Sequence, residues 1–182
     1  MNNLIDFTAG LLQDKCKGGT YGNIFKTNGM EYIFGGNKMI GIVIATHAGL
    51  GQGLIDAVSL IAGTPPNMKA FGLYHGDSPD QYEADIMAAL EELDEGQGVL
   101  GFVDFLGGTP ANTMMKCLAK KEFPCVAGVN MPMVLNAYME RDMAGSVDEL
   151  MESCIEAGKQ SFVKVHEMYQ EMMADDDEED EI

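Results

Sequence analysis

The chain has 182 residues, 46% of them hydrophobic and 22% charged, which fits one ordinary globular domain and excludes disorder along its whole length. Eleven Lys and Arg against 29 Asp and Glu leave a formal net charge of −18, a surface that repels nucleic-acid phosphates and anionic lipid and attracts a basic partner protein. No apolar run reaches the roughly 18 residues of a membrane span, the N-terminus lacks the basic-then-apolar order of a secretory signal, and four cysteines (Cys16, Cys117, Cys125, Cys154) without C-x-x-C spacing argue against a zinc site or disulfide framework and for a reducing cytoplasm.

Residues 1–38 carry four basic and three acidic side chains, a net +1, and show no strong period. They read as an N-terminal extension with a non-native start, Met39 being the expected true start. Codons for the adjacent Gly35 and Gly36 can spell a purine-rich ribosome-binding sequence a short way upstream. The other reading is a genuine extension. Residues 39–170 hold the regular pattern. Residues 171–182 are dominated by the acidic run from Asp175 to Glu181, and mutual repulsion predicts a solvated, disordered tail.

From Met39 onward, strand and helix signals alternate. Met39–Ala45 is a continuous apolar run, as in a strand covered on both faces. Leu54, Val58 and Ile61 recur at helical spacing until Gly63 and Pro65-Pro66 stop the helix. Lys69–Tyr74 reads as a second strand. Ser78-Pro79-Asp80-Gln81 opens a second helix with Tyr82, Ile86, Ala89, Leu90 and Leu93 inward. Gly98–Val103 is a third strand, and Thr109-Pro110 looks like an N-cap followed by a first-turn proline. Pro124–Val129 is a fourth strand, followed by a short helix over Met131–Met139. Ser146–Glu149 is a capping box that opens one long helix with Leu150, Cys154, Ala157, Ser161, Val165 and Met168 inward. Such alternation predicts an α/β fold: a doubly wound, mostly parallel sheet with helices on both faces. The 15 Met read as adaptable core filler and the cysteines as small hydrophobes, not as metal ligands.

Ligands of open α/β sheets bind beyond the carboxyl ends of the strands. Thr46-His47-Ala48-Gly49 follows the first strand, His75 the second, Asp104-Phe105-Leu106-Gly107-Gly108-Thr109 the third and Asn130 the fourth. The first and third strands are neighbours in the common doubly wound orders, so His47 and Asp104 are expected to meet. A carboxylate that accepts from Nδ1–H fixes the tautomer and leaves Nε2 as a basic nucleophile. No Gly-x-Ser-x-Gly elbow and no P-loop occurs. Gly49, Gly51 and Gly53 lack the spacing of a dinucleotide fingerprint. The turns at His47–Gly53 and at Gly107, Gly108 and Thr109 lead into helices whose N-termini favour anions. No Lys or Arg lies between Met39 and Met68, so a phosphoryl group here is held by neutral donors and held weakly. His75 reads as a solvated loop residue and His166 as a surface residue of the last helix.

Three separated segments then carry a resemblance: Ile42–Gly49, Gly98–Asn112 and Ala127–Met133, continued through Met139-Glu140-Arg141-Asp142 and the helix at Asp148-Glu149-Leu150. Over about residues 39–168 the chain resembles the EIIA component of the mannose-family sugar phosphotransferase system. The resemblance implies a cytoplasmic phosphotransferase component that carries phosphohistidine, accepts the phosphoryl group from HPr and passes it to EIIB, and is associated indirectly with membrane EIIC and EIID. It needs no cofactor and no metal. His47 stands at the position of the active histidine, Asp104 at that of its hydrogen-bonding aspartate, and Thr109 where the family usually has Ser. The family further implies a homodimer that exchanges an antiparallel edge strand, for which Val163–Val165 is the candidate. Two alternatives share the scaffold: the dihydroxyacetone-kinase phosphotransfer subunit and a non-catalytic regulatory module.

Overall fold

The computed structural model describes residues 23–27, 30–34 and 38–179. The chain divides into two compact units, 1–37 and 38–182. In the first, strands β1 (Asn23–Thr27) and β2 (Met30–Phe34) pair as an antiparallel hairpin, Asn23 opposite Phe34. The two strands show no apolar–polar alternation in sequence, since Ile24-Phe25 and Tyr32-Ile33-Phe34 place apolar residues side by side.

The second unit contains β3 (Gly41–His47), α1 (Leu50–Ala62), β4 (Met68–Leu73), α2 (Pro79–Glu92), β5 (Val99–Val103), α3 (Thr109–Leu118), β6 (Cys125–Ala127), α4 (Met131–Glu140), α5 (Val147–Gln160) and α6 (Val165–Glu179). Its strands form one parallel sheet in the order β4-β3-β5-β6. Alternate residues of β3 face opposite sides, as the twofold period of a strand requires. Val43 and Ala45 pack with Ile86, Leu90, Val103 and Met114 under α2 and α3. Ile42 and Ile44 pack with Val58, Phe102, Val134, Leu150 and Cys154 under α1, α4 and α5. Each fully buried Val, Leu, Ile, Phe or Met among them contributes about 1.5–3 kcal/mol, so the two layers lock the central strands and with them whatever stands at their ends. The α/β sheet covered on both faces is thus as expected; all four of its described strands are parallel.

Two helix starts follow the caps expected from the sequence: Ser78 and Ser146 accept from the backbone N–H groups of Gln81 and Glu149. Asn130 caps α4 in the same way, accepting from the Met133 N–H. Thr109 corrects the third expected cap. The N-cap of α3 is Gly108, and Thr109 is the first helical residue, exposed and without a capping bond. A glycine can occupy an N-cap, and with Pro110 in the first turn the helix starts without a side-chain acceptor. Ile61 is also exposed rather than inward, at the open end of α1.

The long last helix is two helices. α5 ends at Gln160, where the Ser161 hydroxyl donates to the Gly158 carbonyl and competes with the helical ladder. α6 then runs to Glu179 through part of the acidic segment that charge repulsion predicts to be disordered. Met172, Met173 and Ala174 are good helix formers and carry the helix into that run. Residues 180–182 lie outside the described residues, as do most of those in the expected extension.

Candidate functional site

β3 and β5 are adjacent, with Ala45 opposite Val103. Asp104 follows Val103 directly and His47 lies two residues beyond Ala45, so the ends of the two strands bring these side chains together. The carboxylate Oδ2 of Asp104 accepts from the backbone N–H of His47 at 2.8 Å and lies 2.7 Å from its Nδ1. Oδ1 accepts from the backbone N–H of Phe105 at 2.9 Å. A carboxylate only accepts, so Nδ1 carries the proton and Nε2 keeps a free lone pair. The imidazole side chain is 42% exposed and the carboxylate side chain 10%: the acceptor is sheltered, and the nucleophilic edge reaches solvent. Partial burial pushes the Asp104 carboxyl upward, but the backbone N–H and ring N–H of His47, the backbone N–H of Phe105 and, when the ring is protonated, its charge outweigh it and hold the group below the ordinary carboxylate range.

The surrounding backbone makes room for this pair. Ala48 has φ 47°, a left-handed turn that a side chain rarely adopts, immediately after His47. Its N–H donates to the Leu73 carbonyl at 2.9 Å, and its own carbonyl passes over Gly72, where a Cβ would lie 2.2 Å from that oxygen. The N-terminus of α1 is tied to the strand by the buried Thr46, whose Oγ1 accepts from the Gly51 N–H at 2.9 Å. Beneath, the Tyr82 hydroxyl donates to the Phe71 carbonyl. Burial first, then the nearby Asp104 charge, push that hydroxyl far above its ordinary value, so it stays protonated.

Gly107 and Gly108 form the second wall. Gly107 has φ 98°, open to glycine alone at low cost. Gly108 has ordinary dihedrals, but a Cβ there would lie 2.6 Å from Cε1 and 3.3 Å from Nε2 of His47. The free ring nitrogen therefore sits against the start of α3, where the first amide N–H groups have no partner inside the helix. A helix N-terminus contributes about 0.3–1 kcal/mol toward an anion at an exposed site. Among the described residues no group of three or more His, Cys, Asp and Glu could hold a metal ion.

His47, Asp104 and Gly108 are brought together, with Gly107 and Thr109 flanking Gly108 in the same turn. His75 and His166 are exposed in a loop and on α6, outside this cluster. Sequence reading assigned no role to Phe105. Its ring stacks on the His47 imidazole with centroids 5.2 Å apart and planes 17° apart. An aromatic residue next to Asp104 is a signal only once the turn is known to fold it back.

The family model described as the PTS system fructose IIA component matches residues 41–155. The mannose-specific EIIAB component of Escherichia coli strain K12 is 33% identical over 122 residues, 66% of this chain and 38% of that protein. The fructose-specific EIIA component of Bacillus subtilis strain 168 is 27% identical over 125 residues, 68% of this chain and 85% of that protein. The chain thus spans little more than a third of the length of the mannose-specific relative. Among solved structures, the phosphotransferase system component EIIA of Streptococcus agalactiae superposes with a TM-score of 0.64 at 24% identity, covering 70% of this chain and 98% of that one. The mannose/sorbose-specific IIA subunit of Enterococcus faecalis superposes at 0.62 with 22% identity, covering 69% and 94%. At those identities the structures establish a shared fold.

Proposed function

The chain belongs to the EIIA family of mannose and fructose phosphotransferase systems, and from that membership we propose that it is a phosphohistidine carrier in sugar uptake, taking its phosphoryl group from HPr and passing it to EIIB. The observation that carries the reading is the 2.7 Å contact between Nδ1 of His47 and the Asp104 carboxylate, which leaves Nε2 free beside the start of α3.

The Nε2 lone pair attacks the phosphorus of phospho-HPr in line. The new N–P bond forms as the bond from phosphorus to HPr breaks, and that electron pair returns to HPr. Phospho-His47 keeps its Nδ1 proton, and the positive charge on the ring is balanced by Asp104. The phosphoryl oxygens face the amide N–H groups at the Gly107–Thr109 turn, with the exposed Thr109 hydroxyl as a further donor. Transfer to EIIB is the same displacement with His47 as the leaving group. Positioning and charge stabilisation supply the rate. The cradle lacks cations, so basic side chains of HPr and EIIB complete it during the encounter. EIIB docking links the chain indirectly to the membrane components EIIC and EIID, and the carrier works in the cytoplasm. No helix among the described residues is long and apolar enough to cross a membrane.

A homodimer is part of this reading. Phe162 is 83% exposed and Val163 beside it is also exposed, in the short connection between α5 and α6, and the exposed Val165 is the first residue of α6. The outer edge of the three-residue strand β6 is without a neighbouring strand among the described residues. Both features support coverage by a second copy through an exchanged edge strand.

Incubation with phosphoenolpyruvate, enzyme I and HPr tests the function. The expected product carries acid-labile, base-stable phosphate on His47, and the His47→Ala protein stays folded and accepts none. Absence of phosphate on wild-type protein rejects the carrier reading.

A further inference from the structure

We propose that Phe105 is a positioning residue for His47: its ring is a plate against which the imidazole is held, so that Nε2 stays directed at the start of α3. This inference rests on the carrier reading for its consequence in phosphoryl transfer, though not for its geometry.

Three observations meet at this residue. The two rings are stacked, 5.2 Å between centroids and 17° between planes, which is an offset arrangement that aromatic pairs favour. Gly108 abuts both rings at once, since a Cβ on it would lie 2.6 Å from Cε1 of His47 and 3.0 Å from Cζ of Phe105. The imidazole is therefore bounded on one face by Phe105, along one edge by Gly108 and at Nδ1 by Asp104. Of the motions left to it, tilting of the ring about the Nδ1···Oδ2 line is the one that a single hydrogen bond resists least, and a stacked plate opposes it.

Phe105 does little else for the fold. It is 53% exposed and is absent from both buried clusters. Its backbone N–H, not its ring, holds Oδ1 of Asp104. Truncating the side chain thus removes the plate while leaving the carboxylate and its two His47 contacts in place. The same face also serves the charged state: when Nε2 carries a phosphoryl group and Nδ1 its proton, the ring is cationic, and an aromatic face attracts a cation.

An exposed aromatic beside the site could instead be a docking contact for partner proteins, and the test separates the two. Phosphoramidate is a small phosphoryl donor that needs no docking: Nε2 attacks phosphorus and ammonia leaves. Wild type, Phe105→Ala and Phe105→Tyr are compared in the full chain for the rate of phosphorylation by phosphoramidate, for kcat and KM with phospho-HPr, and for order of the His47 ring by carbon relaxation in the unphosphorylated protein. The expected result is a loss of about five- to tenfold with phosphoramidate in Phe105→Ala, a fall in kcat rather than a rise in KM with phospho-HPr, and a more mobile His47 ring. Phe105→Tyr, which keeps the plate, restores all three to within about twofold. The inference is overturned if Phe105→Ala matches wild type with phosphoramidate and in ring order, or if its only defect is a higher KM for phospho-HPr, which makes Phe105 a docking residue. If wild type accepts phosphate from neither donor, the carrier reading fails, and ring order alone decides between a plate and an idle side chain.

Discussion

Replacing Gly108 by Ala puts the geometry of the site under direct strain. The backbone at this residue, φ −85° and ψ 168°, accepts an alanine. Its new Cβ, however, would stand 2.6 Å from Cε1 of His47, whereas carbon atoms rest about 3.5–4.0 Å apart. The ring must retreat by about 1 Å. It starts from a 2.7 Å bond to Asp104, so a retreat of that size takes Nδ1 beyond the roughly 3.2 Å reach of a good hydrogen bond. Hydrogen bonds to charged groups are worth about 1.5–3 kcal/mol, and each 1.36 kcal/mol is tenfold in rate. Phosphoryl transfer from phospho-HPr is therefore expected to fall roughly 10- to 100-fold. Fold stability changes far less, by about 1 kcal/mol or under, the difference between Gly and Ala at an N-cap. Initial rates of labelled phosphate transfer, measured beside thermal unfolding, give both numbers. A folded Gly108→Ala protein that transfers at the wild-type rate shows that the imidazole does not need this wall. A protein that unfolds shows that Gly108 belongs to the core and not to the site.

Asp104→Asn keeps an acceptor for the His47 N–H but removes the charge, and slower transfer is expected. Because the folded carboxyl of Asp104 lies below its ordinary range, its contribution to stability is present above about pH 4 and is lost as pH falls through the lower folded value. The stability gap between wild type and Asp104→Asn should close in acid, and a gap that widens below pH 4 contradicts the sign. Gly72→Ala drives a Cβ to 2.2 Å from the Ala48 carbonyl oxygen; a loss of about 1–3 kcal/mol in urea unfolding is expected, with reduced transfer because the His47 turn moves, and unchanged stability counts against the close approach. Arg141 is 3% exposed, and its Nε and Nη1 have no hydrogen-bond partner among the described residues, so Arg141→Met should leave urea stability within about 1 kcal/mol of wild type or raise it; a loss beyond about 2 kcal/mol shows a paired guanidinium. Sedimentation should report a dimer, and Phe162→Asp should shift it toward monomer; a wild-type monomer at micromolar concentration removes the exchanged strand.

Several features were legible in the residues because they are local. The apolar run Met39–Ala45, the Ser caps at 78 and 146, and the apolar stripe of α2 each specify their element through neighbours a few positions away. Other outcomes depended on a balance that sequence spacing does not reveal. The stripe from Leu150 to Met168 is continuous at helical period, yet the chain breaks after Gln160 because local side-chain bonding at Ser161 competes with the ladder. Thr109 has the composition of a cap, and Gly108 takes the place, since Gly108 keeps the extended dihedrals of a cap and Thr109 already belongs to the helix.

The sequence by itself determined the alternating α/β order, and it placed His47 and Asp104 at strand ends, because both follow from periods of two and 3.6 residues and from the rule that such sheets bind at their carboxyl edge. Only the tertiary structure decided which atoms meet. His47 and Asp104, 57 positions apart in the chain, meet at 2.7 Å because β3 and β5 are paired in one register, and a register is chosen by the packing of both sheet faces together. The stacked Phe105 ring and the missing Cβ of Gly108 are likewise properties of a folded turn, where distance through space has no counterpart in distance along the chain.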